Sequence, residues 1–287
     1  MDTLALAMAY EIELAITELH AIKQIPKWQR DAEARLTKRL QGVLNAAFTK
    51  VIDKLQEMGR IPFGDVARRQ LVLAILNSIP EFQDAVAEEG IGAAEQGRFL
   101  TLEILQDLGV AIQFTEFSKH TRDILKEHFF EASRATLDRM VGDVMANLTE
   151  SYESGLGIDD AAEELKKVFT NMEGYELERV ARTEINSGQS QGAHRTMVEY
   201  GVRYHQWWTA QDERVRHDSK ANHREMHGQI VKLGEEFSNG LKRPGDKSGE
   251  IEEWINCRCR AVPYLIPKGK AAPIGKSHFY EKDLVSI

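Results

Sequence analysis

An α+β fold is predicted for this chain: a mostly helical N-terminal region followed by a small C-terminal module of short strands. Apolar residues recur at three- and four-residue steps through most of the first two hundred positions. Near Gly201 the pattern changes to short runs of β-branched and aromatic residues. The uncommon residue types then crowd into 207–263, which holds three of the four Trp, three of the nine His and both Cys.

Taken in order, Leu4 to Ile25 is apolar on both faces around Glu11, Glu13 and Glu18, and reads as a helix ended by Pro26. Lys27 to Met58 is the clearest amphipathic stretch, with Leu36, Leu40, Leu44, Val51 and Leu55 on one face and Gly59 stopping it. Asp65 can cap a helix running to Ile79, before Pro80. Gly90, Gly92, Gly97 and Gly109 interrupt Phe82 to Val110, so two short helices with bends are expected there. Ser118 to Ser151 is again long and periodic. The Gly-Leu-Gly at 155–157 marks a boundary, after which Asp160 and Glu163 have capping-box spacing. A further helix, Tyr175 to Tyr200, ends at Gly201. Strands are expected at Tyr204–Thr209, Gln229–Leu233 and Ala261–Ile266, with a helix or turn over His217–His227. The organisation is therefore a helical region over 1–155, a compact module over 156–266, and an extended or mobile tail over 267–287.

Composition narrows the function. The 287 residues carry a net charge of −8, which argues against wholesale coating of nucleic acid while leaving local basic patches open. No apolar run approaches the roughly 20 residues that span a bilayer, and no membrane partner is expected. The first ten residues lack the basic start of a secretory signal. Two Cys one residue apart are no oxidised framework, so synthesis in a reducing cytosol fits.

Cys257 and Cys259 flank Arg258, and thiolates bind soft or borderline metals such as zinc. His223 and His217 are the nearest candidates to complete a ligand set, with His227 as a substitute. On a straight strand the two sulfurs would face opposite sides, so a metal site requires a turn or bulge there. The competing reading makes both Cys small buried hydrophobes. HREMH at 223–227 fails as a zinc-protease motif, because Arg224 stands where the Glu must be. Asp212, Glu213 and Asp218 read as solvated turn acids. Arg182, Asn186 and Gln189 form a polar stripe on their helix, beside small Gly188, Gly192 and Ala193 that favour close docking of another backbone. Trp207, Trp208 and Trp254 read as core.

The order of these elements is specific. ARTEIN (Ala181 to Asn186, with Arg182, Glu184 and Asn186), Trp207 and Thr209, Asp212 to Arg216, His223 to Gly228, Phe237, Pro244 and NCRC (Asn256 to Cys259) together resemble the phage Mu protein F-like minor head proteins. The resemblance covers about 173–263, and the helical N-terminal region matches in general character alone. His227 departs from the Asp or Asn more usual before Gly, and no toxin or nuclease extension follows NCRC. The resemblance implies a virion protein of the phage head, made in the bacterial cytoplasm. It implies binding to the portal protein, with scaffold or major capsid protein as further partners. Roles in procapsid assembly and in genome packaging or ejection follow, without catalysis. Arg182, Glu184, Asn186, Trp207, Asp212, Arg216, Gly228 and Asn256 are then structural motif residues. Lys242, Arg243 and Lys247 offer local contact with phage DNA. The alternative function is a metal-dependent effector, a hydrolase or an ADP-ribosyl-type transferase, acting through His223 or Glu184.

Overall fold

The computed structural model describes residues 25–266. The helix expected over 4–24 and the tail over 267–287 lie outside them. The helices are α1 (Ile25–Met58), α2 (Asp65–Leu76), α3 (Ile79–Asp107), α4 (Lys119–Glu153), α5 (Ile158–Asn171), α6 (Leu177–Glu199) and the short α7 (Ile251–Trp254). A π turn (Met172–Glu176) joins α5 to α6, and the strands are β1 (Tyr204–Trp208), β2 (Ile230–Lys232) and β3 (Arg260–Tyr264). Mostly helical with a small C-terminal sheet, the protein has the α+β class its sequence predicts. Among the described residues no helix is long and apolar enough to cross a membrane.

The chain condenses into two compact units built from discontinuous segments. One draws on 33–89 and 120–181 and is all helical. Its core holds Leu36, Leu40, Leu44, Val51 and Leu55 from α1 and Leu125, Phe129, Leu137, Met140, Val144 and Leu148 from α4, all fully buried. Those spacings are the one-face periodicity of an amphipathic helix. Phe48 and Phe169 stack with ring centroids 3.7 Å apart. The buried Arg68 is satisfied locally, donating to Pro62 O and Thr149 Oγ1.

The other unit draws on 25–32, 90–119 and 182–266 and contains the sheet. The sheet is antiparallel in the order β2-β1-β3, with His205 opposite Val231 on one side and Pro263 on the other. Strand alternation sends adjacent tryptophans into different clusters. Trp207 joins Met226, Val231, Phe237, Leu241 and both Cys, whereas Trp208 packs with Ile104 and Val262. Trp254 is half-buried on α7, its indole N–H donating to Gly249 O.

Besides the helix from Asp65, which has no side-chain cap and ends at Leu76 with Pro80 inside α3, two sequence expectations are corrected here. The glycines of 90–109 do not split the segment, because α3 is one helix of 29 residues. Helix glycines cost about 1 kcal/mol each relative to Ala, and tertiary packing outweighs them. A Cβ on Gly97 would lie 2.0 Å from Gln189 O, and one on Gly192 would lie 1.8 Å from Ala94 O. The backbones of α3 and α6 thus meet where both lack side chains. Arg98, 2% exposed, ties the same pair by donating to both Glu199 carboxylate oxygens and to Thr115. The second correction concerns α5, which starts at Ile158 behind Gly157, with no side-chain cap from Asp160.

Gly97→Ala and Gly192→Ala each force a methyl group into opposing backbone. Each is expected to destabilise the protein by about 1–3 kcal/mol or more, read as a lower urea midpoint, whereas Gly142→Ala, with open space around its Cβ, is expected to be neutral or stabilising.

Candidate functional site

The cysteines do not lie on β3 but in the irregular segment before it. Asn256 adopts a left-handed conformation (φ 52°), and Cys257 N–H donates to Trp254 O in a turn. This break in extended geometry puts both sulfurs on the same side. His223, from the turns between β1 and β2, meets them there. Its Nδ1 is 3.8 Å from Cys257 Sγ and 3.5 Å from Cys259 Sγ, and the three donor atoms all lie within 4.8 Å of one another. All three residues are buried, at 2–3% exposure.

The far edge of the ring is occupied as well. His223 Nε2 donates to Glu253 Oε2 at 2.9 Å, and Asn239 Nδ2 donates to the same oxygen at 2.8 Å. A carboxylate can only accept, so the proton is held on Nε2 and the Nδ1 lone pair turns toward the sulfurs. Burial alone would lower the His223 pKa, but the Cys257 sulfur and Glu253 beside it raise it above the ordinary value. The Cys259 thiol donating to its sulfur, with the His223 imidazole alongside, holds Cys257 well below the usual thiol range despite burial. Burial and the neighbouring Cys257 push Cys259 well above it.

These donors fit a metal ion. Bonds of about 2.3 Å to sulfur and 2.0–2.1 Å to nitrogen at a tetrahedral angle separate sulfur from nitrogen by about 3.6 Å, which the two observed distances straddle. A carboxylate behind a ligating His is the usual outer partner in such sites. His217 and His227 stand elsewhere. His217 is exposed, with Nδ1 3.2 Å from Val215 O. His227 is buried against Thr209 Oγ1 (3.0 Å) and Gln211 Nε2 (2.8 Å), edge-on to Trp208.

The structural motif residues surround this centre. Thr183 Oγ1 accepts from Asn256 N–H, and Arg182 Nη1 donates to Asn256 Oδ1 at 3.5 Å, so α6 holds the left-handed turn directly. Glu184 receives Lys247 Nζ at 2.6 Å on both oxygens. Asn186 and Ser187 are covered by Gly245, where a Cβ would lie 3.3 Å from either residue. Arg216 donates to Ile255 O, one residue before the turn. Asp212 is no solvated turn acid: it is 7% exposed and takes both Arg258 amines, at 2.6 and 2.7 Å. Burial opposes ionisation of Asp212, yet Arg258 and the Arg214 N–H hold its carboxyl below the usual range. Asp218, by contrast, caps its own turn at the surface. Gly228, at φ 78°, donates its N–H to Trp207 O and closes the turn into β2.

Of the three basic residues singled out for DNA contact, Arg243 pairs with Asp246 and Lys247 with Glu184, while Lys242 is exposed. Sequence reasoning missed Glu253, Asn239 and Arg258. Glu253 sits four residues before Cys257 in an acidic run, and nothing local separates it from its solvated neighbours.

Residues 142–262, from within α4 into β3, match the family described as phage Mu protein F like protein. This segment is similar to that family. An uncharacterised protein of the archaeon Methanocaldococcus jannaschii is 32% identical over 117 residues, covering 41% of this chain and 18% of that protein. The chain therefore spans about a fifth of the length of the curated relative it matches. No solved structure matches. The Mu F-like segment contains the motif residues, the sheet to Val262 and the whole Cys/His centre.

A second buried polar group within the domain gives a pH test. His205 on β1 is fully buried with neither ring nitrogen hydrogen-bonded, and burial lowers its pKa to about 3. His194 on α6, with its ring centroid 6.1 Å away, is lowered to about 4 by burial and then by Arg243. The unfolded chain binds these protons near pH 6.5 and the folded one resists them. Their stabilising contribution is present above pH 6.5 and is lost as pH falls through the folded pKa values. The urea midpoint is expected to fall steadily from pH 7 to pH 4, with a shallower slope in His194→Gln.

Proposed function

We propose that the protein is a phage head morphogenesis protein that binds the portal vertex during procapsid assembly. The Mu F-like match over 142–262 carries this reading. Scaffold or major capsid protein are the further head partners, and the virion is the place of action. A non-enzymatic role is supported by the way the polar residues of the domain are used. Glu184, Asp212 and His227 are each engaged by partners, Lys247, Arg258 and Gln211, that fasten loops to α6 or to one another. A purified chain is expected to co-sediment with its cognate portal at micromolar concentration. Absence of binding there, with virions assembled normally without the protein, would overturn the reading.

The His223, Cys257 and Cys259 centre we read as a structural zinc site that fastens the segment before β3 to the turns after β1. The sulfur–nitrogen spacing and the Glu253 partner of His223 support it. Protein purified without chelator is expected to carry stoichiometric zinc and to melt lower after Cys257→Ser. Glu253→Gln is expected to weaken zinc roughly 10- to 100-fold, measured by competition with a chromogenic chelator. Zinc far below stoichiometry, with an unchanged melting temperature in Cys257→Ser, would refute the site.

A further inference from the structure

We propose that the His223, Cys257 and Cys259 centre keeps one coordination position for an exchangeable carboxylate-type anion, admitted through the pocket beside it and held by Arg216. This rests on the metal reading above.

Zinc takes four ligands, and sites with three protein donors leave the fourth to an exogenous one. Among the described residues no fourth His, Cys, Asp or Glu joins the cluster. The two nearby acids are committed elsewhere. Asp212 is clamped by Arg258, and Glu253 lies on the Nε2 edge of His223, away from the sulfurs. All three donors line one pocket of about 200 Å³, together with Arg214, Arg216, Arg258 and Asn256. That volume exceeds the roughly 30 Å³ share of a single water and admits a small anion.

The lining contains three arginines and no acid. Arg258 is paired with Asp212 in a two-pronged contact, while Arg214 and Arg216 face acids only at longer range, Asp212 and Asp218. Arg216 donates Nη2 to Ile255 O, while its Nη1 is buried without a hydrogen-bond partner. A buried guanidinium nitrogen of this kind is stabilised by an anionic acceptor. A divalent ion bound by two thiolates and a neutral imidazole has no net charge, so the attraction for an anion comes from these arginines.

The test uses the full chain loaded with Co²⁺ in place of zinc, read by its visible ligand-field and thiolate charge-transfer bands, with acetate as the probe. Acetate is expected to shift the bands saturably. Arg216→Gln is expected to raise the acetate midpoint roughly tenfold, read on the Co²⁺-loaded fraction because Arg216 also holds Ile255 O beside the cysteines. Should Arg216→Gln fail to fold, Arg214→Gln in the same wall carries the comparison, again with a raised midpoint. Stoichiometric Co²⁺ whose spectrum ignores acetate overturns this inference and leaves the structural metal site standing. Unchanged acetate midpoints in folded arginine variants overturn the role given to the pocket wall. A chain that binds no Co²⁺ overturns the metal reading itself.

Discussion

The residues Cys257 and Cys259 are separated by a single position, and a straight strand would turn their sulfurs to opposite sides. What brings both onto His223 is the left-handed backbone at Asn256, and much of the surrounding hydrogen bonding serves to hold it. Thr183 accepts its N–H, Arg182 reaches its side chain, and Arg216 fixes the preceding carbonyl. A left-handed conformation at a residue with a Cβ is uncommon, with Asn among the types that tolerate it best, and it persists where neighbours over-determine it. The helical ARTEIN motif and the cysteine motif are thus two parts of one device, although more than seventy positions separate them in the chain.

That device needs α6 to be held firmly, and the α3–α6 crossing supplies this within the same compact unit. Gly97 and Gly192 let the two backbones approach to contact, which no side chain larger than hydrogen would allow. Arg98 then closes the crossing from within, its guanidinium satisfied by Glu199 and Thr115. Burial lowers the Arg98 pKa less than the Glu199 hydrogen bond raises it, so the charge is kept. Close helix approach also explains why α6 carries so much polarity inward. Small and polar residues from Thr183 to Thr196 leave room for loop 239–249 to lie on the helix, and that loop returns Lys247 to Glu184.

The chemistry at the centre of the domain is therefore mostly that of attachment. Glu184 with Lys247 joins a loop to α6, while Asp212 with Arg258 and His227 with Gln211 join one loop to another. In the arginine-walled pocket beside the sulfurs, Arg216 Nη2 holds Ile255 O while its Nη1 is buried without a hydrogen-bond partner.

Much of the architecture was legible in the residues alone. Periodicity placed α1 and α4, and the change of period placed all three strands to within two residues, because repeated apolar spacing directly encodes which face is buried. The cysteine pair, its need for a turn and the candidacy of His223 were also local facts. The sequence misled where a local rule met a tertiary demand: glycines that normally break a helix remain inside α3 because a second backbone lies against Gly97. It was silent on Glu253, Asn239 and Arg258, and on which histidine reaches the sulfurs, because partners brought together from distant turns leave no trace in spacing. Sequence by itself determined the class of fold and the identity of the chemically able residues. The tertiary structure alone decided which of them meet, since a donor's direction is set by the backbone that carries it and by the neighbours that hold that backbone in place.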